Sequence, residues 1–151
     1  NLGGYIGAKS LMDELGYNME EISDQNIIYE GKMSEGLDLS KMMSLNDYVR
    51  EENAYSLKAY TNVEFISSYR DFNTEYRFMT TSRNHKKLFV IRDSFCTAMS
   101  EYIASNFSES VMIHRNVYTP TKLYNEDPDI VVYQVVERYI RNLIGFDVTV
   151  D

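Results

Sequence analysis

The sequence holds a single cysteine, Cys96, so no disulfide can form within the chain. That fits a reducing compartment and equally a secreted protein that uses no disulfides. Tryptophan is absent, and only two histidines are present, His85 and His114. With no His/Cys cluster, and with Glu20-Glu21, Glu51-Glu52 and Glu126-Asp127 reading as solvated acidic runs, no metal site is expected. No glycine-rich motif of the kind that cradles phosphate follows a strand, and no cofactor is implied. No apolar run reaches the roughly 18 residues of a membrane span. Positive charge is scarce as well. Lys and Arg number 15 against 23 Asp and Glu, for a net charge of −8. No basic stripe can neutralise phosphates, which excludes a nucleic-acid partner.

What is present is an ordinary globular balance, 44% apolar and 25% charged in 151 residues, which fits one domain with a real core. Tyrosine is abundant, at 13. Packing accounts for most of these rings, and a carbohydrate-facing surface would use the same chemistry. No signal peptide is visible. The first residue is not Met, and the chain reads as one that begins in mid-domain.

Residues 3–16 read as a helix with Tyr5 or Ile6, Ala8, Leu11, Met12 and Leu15 on one face and Gly16 as its stop. Residues 17–36 read as irregular apart from an extended piece at 26–30. A short helix is expected over 37–43, its methionines serving as flexible core filler. Val63–Tyr69 and Glu75–Thr81 alternate as the two strands of a hairpin, with residues 70–74 between them. The cluster Arg83-Asn84-His85-Lys86-Lys87 precedes the next strand. From there the pattern changes. Leu88–Ile91, Ser110–His114 and Asp129–Val136 are apolar runs suited to buried parallel strands. Helices are expected at 95–107, from Thr119-Pro120-Thr121, and at 137–144. Strands alternating with helices indicate an α/β fold with a parallel sheet and an inserted β-hairpin.

Open parallel sheets bind ligands beyond the carboxyl ends of their strands. That rule selects Arg92-Asp93-Ser94-Phe95, His114-Arg115-Asn116 and the stretch from Gln134 to Arg138. Ser94 would open the following helix, where free N–H groups favour an alkoxide or oxyanion. The competing structural reading makes Asp93 or Ser94 a helix cap. His85 falls at the wrong end of the sheet. His114 falls on the right edge, either as a structural or substrate-contacting group or as a substitute base. Arg115 and Asn116 share that edge, where Arg115 could meet an oxyanion or a carboxylate-bearing sugar, or form a surface ion pair. Glu137 and Arg138 read as an ion pair ordering the third strand's end, and Tyr118 and Tyr139 as packing or sugar-stacking rings.

The run Leu88-Phe89-Val90-Ile91-Arg92-Asp93-Ser94-Phe95 resembles the first motif block of SGNH hydrolases, usually Gly-Asp-Ser. It resembles more closely the AlgX/AlgJ and DHHW-type branch of polysaccharide O-acetyltransferase-like proteins. The resemblance continues through Asn106-Phe107, resumes at Asp127-Pro128-Asp129-Ile130-Val131-Val132 and ends at Val136-Glu137-Arg138-Tyr139-Ile140. It covers residues 84–144 well and 17–83 loosely, while Leu2–Ala8 looks like the helix that follows an Asp-x-His-Trp motif. It implies a single SGNH-like, flavodoxin-like partial domain over 1–151, lacking its N-terminal part. Ser94 is then the nucleophile of an acyl-ester hydrolase or O-acetyltransferase, beside Asp93. The candidate binding residues on the same sheet edge are Arg92, Arg115, Asn116, Tyr118, Glu137 and Arg138.

The implied partner is a cell-envelope or extracellular polysaccharide, met outside the cytoplasm. The sequence departs from the pattern in having no Asp-x-His-Trp and in placing Arg92 where a small residue is usual. The Asp and His partners are therefore expected upstream of residue 1, and the 151-residue chain alone is expected to be inactive. The competing expectation is a catalytically inactive glycan-binding or assembly module on the same fold.

Overall fold

Leu88, Phe89, Val90 and Ile91 are all completely buried, and a strand can achieve that only at the centre of a sheet covered on both faces. The computed structural model, which describes residues 2–35, 38–45, 47–57 and 63–146, shows how the cover is arranged. The chain divides into two units, Gly3–Met19 with Thr61–Asp151, and Asn1–Leu2 with Glu20–Tyr60.

The larger unit carries a five-stranded sheet. Its strands are β3 (Phe65–Arg70), β4 (Glu75–Thr80), β5 (Lys87–Arg92), β6 (Glu109–His114) and β7 (Ile130–Tyr133), in the order β3-β4-β6-β5-β7. β5 pairs in parallel with β6 and β7, while β4 runs antiparallel to both β3 and β6. Four of the five strands therefore point one way. The expected α/β architecture with a β-hairpin on a parallel sheet is what the chain adopts.

Side-chain alternation along β5 divides the core in two. Leu88 and Val90 pack on one face with Ala8, Met12, Phe78, Ile103 and Phe107. Phe89 and Ile91 pack on the other with Val111, Ile113, Leu123 and Tyr133. Helix α1 (Leu2–Glu14) covers the first face, and Gly16 ends its last turn at φ +79. Gly4 is required by contact rather than by backbone angle. A Cβ there would lie 1.9 Å from the carbonyl oxygen of Ala98.

Helix α4 (Pro120–Glu126) serves the second face, with Pro120 in its first turn and the Thr119 hydroxyl accepting from the Lys122 N–H. Its last residue closes an ion network at the amino end of the sheet. Glu126 meets Arg77 at 2.6 Å and Lys87 at 2.8 Å, and Lys87 also meets Glu109 at 2.9 Å. Burial alone would raise the Glu126 carboxyl. The hydrogen bonds from Arg77 and Lys87 outweigh it and hold the group below its ordinary range.

The smaller unit is an antiparallel ribbon of β1 (Ile27–Glu35) and β2 (Arg50–Leu57), with helix α2 (Asp38–Met42) between them in sequence. Its register shifts between Tyr29 and Lys32, where Gly31 sits at φ +58. Three features depart from the sequence expectations, the first being that β1 runs on to Glu35, past the extended piece expected at 26–30. β2 has no counterpart among those expectations, because Arg50-Glu51-Glu52-Asn53 carries no apolar alternation to mark a strand. Met42 and Met43 are not core filler but exposed, at 77% and 68%. A five-residue helix beside a two-stranded ribbon has little apolar face to hide behind. Leu37, expected in this helix, lies outside the described residues.

These contacts make two outcomes testable. Gly4→Ala forces α1 away from Ala98 and should lower unfolding free energy by about 3 kcal/mol in urea denaturation. A change under about 0.5 kcal/mol would contradict that close approach. A carboxylate with a depressed folded-state pKa stabilises above its unfolded value and loses that contribution as pH falls through the folded one. Stability should therefore drop below about pH 4.5, and Glu126→Gln should flatten the drop. Denaturation curves between about pH 6 and 3 check both points.

Candidate functional site

The three parallel strands end at Arg92, His114 and Tyr133, and the segments leaving them meet at one edge. The expected helix over 95–107 is instead a 3-10 turn, Ser94–Ala98, followed by the short helix α3 (Ser100–Ala104). The local physics explains the tight winding. Asp93 is an extended N-cap whose Oδ1 accepts from the Phe95 N–H at 2.9 Å. The Cys96 N–H then donates to the Asp93 carbonyl, a 3-10 spacing. Asp93 thus takes the cap role, and Ser94 is left as the first residue of the turn.

The Ser94 side chain is exposed and makes no hydrogen bond to another described residue. It stands beyond the carboxyl end of β5, the middle one of the three adjacent parallel strands, where the sheet rule places ligands.

Asp93 also reaches sideways. Its Oδ2 accepts from the Val136 N–H at 2.8 Å, and its own N–H donates to Gln134 Oε1 at 3.1 Å. Gln134 in turn donates its N–H to the Ile91 carbonyl. The carboxylate is buried and bonded on both oxygens, so it orders the turn rather than facing solvent. The part played by Gln134 is not legible in sequence, because only the register of β7 beside β5 brings its amide to Asp93.

Arg92 is completely buried. Its guanidinium stacks 3.9 Å above the Tyr76 ring and donates to the carbonyls of Phe72 and Asp71 at 3.0 and 3.3 Å. Arg92, expected to contact substrate, is thus turned inward, joining the β3–β4 loop to the turn that bears Ser94. Burial draws its basicity down from the usual arginine range. Cys96, beneath the same turn, is buried and its thiol is pushed up to about 12 by desolvation, so it is no rival nucleophile.

His114 pairs with Arg92 in the register of β5 and β6. Burial, then the positive charges of Arg92 and Arg115, lower its pKa and keep it neutral. Its Nδ1 accepts from the Asn116 N–H at 3.3 Å. His85 is exposed before the start of β5, roughly 20 Å of strand away from Ser94.

The remaining residues separate into two groups. Tyr118 packs in the second apolar cluster against Phe89 and Phe146. Glu137 and Arg138, expected as an ion pair, form none among the described residues. Both are exposed at the start of a 3-10 segment, Glu137–Leu143, that stands where an α-helix is expected. The Arg138 guanidinium lies instead over Phe95 at 5.8 Å and over Tyr139 at 5.1 Å, and Arg115 lies over Tyr139 at 4.2 Å. The ring of Phe95 gives Arg138 a face to stack on, and that competes with an exposed ion pair worth little. Phe95, the exposed aromatic next to the serine, carries no sequence signal of this role beyond its place after Ser94. No group of three or more His, Cys, Asp or Glu that could hold a metal ion occurs among the described residues.

The fold has solved counterparts. A DHHW family protein from Eubacterium siraeum matches with a TM-score of 0.61 at 15% identity, over 87% of this chain and 54% of that one. PatB1 from Bacillus cereus, solved with a sulfonyl adduct, matches with a TM-score of 0.59 at 13% identity, over 87% and 55%. A second PatB1 structure gives 0.55 at 13%, over 87% and 57%. The likeness shows the fold, and the chain spans about half the length of these structures. No protein-family model and no curated protein matches the sequence.

The geometry predicts that Asp93→Ala, which removes both carboxylate bonds, lowers stability by about 2–3 kcal/mol. Hydrogen exchange at the Phe95 and Val136 amides should accelerate more than at Val90. Equal protection of all three in the variant would show that the carboxylate does not hold the turn.

Proposed function

We propose that the chain is the nucleophile-bearing part of a serine acyl-ester hydrolase or O-acetyltransferase, with Ser94 attacking the acetyl carbonyl. The observation that carries the reading is an exposed Ser94, fixed by Asp93 at the first position of a tight turn beyond the central parallel strand. The likeness in fold to PatB1 and to a DHHW family protein supports it, as does the motif resemblance around Asp93-Ser94-Phe95.

The groups in place define the chemistry. The Ser94 Oγ–C bond forms as the acetyl ester's alkoxy group leaves, and the acyl group then passes to a sugar hydroxyl or to water. The serine proton must go to a base. His114 makes no hydrogen bond to Ser94 and has its Nδ1 engaged by the Asn116 N–H, and His85 stands at the wrong end of the strand. The proposal therefore assigns the base, with its orienting carboxylate, to another segment of the protein. The substrate class is acetylated or acetylatable polysaccharide, met outside the cytoplasm. No helix among the described residues is long and apolar enough to cross a membrane.

The test is made on the full-length protein. Ser94→Ala should lower acetyl-ester turnover by about 10³-fold or more. A sulfonyl fluoride should label Ser94, located by mass spectrometry of the digest, and should leave the variant unlabelled. Turnover unchanged by the substitution would end the nucleophile assignment and favour a glycan-binding module without catalysis. Turnover by the 151-residue chain alone that disappears in His114→Ala would return the role of base to His114.

A further inference from the structure

The strongest unexplained feature of the serine edge is positive charge without a negative partner. Arg115 follows β6 and donates its N–H to the Arg92 carbonyl, which sets it beside the end of β5. Its guanidinium lies on Tyr139, and Arg138 lies on Tyr139 and Phe95. Neither arginine forms an ion pair among the described residues, and neither do Arg83, Lys86, Lys122 and Arg141; Arg115 and Arg138 differ from these in being held on aromatic rings, one of which, Phe95, follows Ser94 in the chain. Arg115 Nε is also buried without a hydrogen-bond partner.

Stacking does not satisfy these groups. A guanidinium on a ring uses its π face, while its N–H donors point outward in the plane. Two such forks lie over one ring, Tyr139, and neither gives its N–H donors to a carboxylate among the described residues. Phe95 is 56% exposed and immediately follows Ser94 in the chain, so it offers an apolar face on which a sugar ring can lie.

We propose that Arg115 and Arg138, with Tyr139 and Phe95, form the binding site for an acidic sugar, one bearing a carboxylate or phosphate, beside Ser94. The anion takes the free guanidinium N–H groups and the carbon face of the ring rests on Phe95. The proposal rests on the reading of Ser94 as nucleophile only for the acyl-transfer step; the binding itself is independent of it.

The experiment separates the two. Calorimetric titration of the full-length protein carrying Ser94→Ala, which holds ligand without turning it over, uses trigalacturonate, glucose 6-phosphate and the neutral maltotriose. At least one acidic sugar should bind about tenfold or more tightly than maltotriose, since a charge-assisted bond to each guanidinium exceeds a neutral one. Whether the uronate or the phosphate binds tighter identifies the anion. Adding Arg138→Gln, a change at an exposed position, should erase most of the preference, as should raising the salt. Arg115→Lys, which keeps the charge and loses the fork, should weaken the acidic ligand and not maltotriose. Equal affinity for acidic and neutral sugars, or a preference untouched by Arg138→Gln, overturns the proposal even if Ser94 proves to be the nucleophile. An intact acidic preference in a protein whose turnover ignores Ser94→Ala overturns only the catalytic reading.

Discussion

One buried carboxylate holds the carboxyl edge of the sheet together. The two oxygens of Asp93 accept from Phe95, in the turn that leaves β5, and from Val136, in the segment that leaves β7. Its own N–H is held by the Gln134 side chain. A hydrogen bond to a charged acceptor contributes about 1.5–3 kcal/mol, and an unpaired carboxylate in this place would cost several. The geometry is therefore close to all or none. Either both amides point at Asp93 and the turn is wound, or the charge cannot stay buried. The position of Ser94 is a consequence of its neighbour's needs.

Burying that charge has a counterpart on the preceding residue. Arg92 is completely buried, and its guanidinium ties the β3–β4 loop to the same turn through the Phe72 and Asp71 carbonyls and the Tyr76 ring. The two consecutive charges thus pull in opposite directions along the sheet edge, Asp93 toward β7 and Arg92 toward the hairpin. Ser94, next in the chain, has no hydrogen-bond partner within the described structure and remains exposed. On the other side of the turn Gly4 lets α1 approach the Ala98 carbonyl more closely than any side chain would allow. The exposed hydroxyl sits on a turn gripped from three directions.

Much of this is legible in the sequence where burial leaves a mark. Leu88–Ile91 and the apolar centre of β6 read as buried strands because both sheet faces are covered. The hairpin reads correctly because β4 alternates, Tyr76 and Phe78 inward and Arg77 toward Glu126. The winding after Ser94 misleads because an apolar stripe at Met99, Tyr102, Ile103 and Phe107 suits a helix. The stripe carries no sign of where 3-10 spacing gives way to α. Arg92 points to substrate in one dimension because a cation next to a serine looks solvent-facing. Only the register that brings the hairpin loop alongside shows two carbonyls and a ring waiting for it. β2 is hidden for the opposite reason, its charged first half offering no pattern to read.

The charge distribution of the larger unit makes the serine edge unlike the other end of the sheet. At the amino end the cations Arg77 and Lys87 are matched by Glu75, Glu109 and Glu126. At the carboxyl end Arg115 and Arg138 are matched by aromatic rings, which hold a guanidinium in place without consuming its donors. An ion pair there would have satisfied the arginines and closed the edge. A ring positions them and leaves the edge open to an anion. The same sheet therefore begins in a structural salt network and ends in guanidiniums that aromatic rings orient and leave open to an anion.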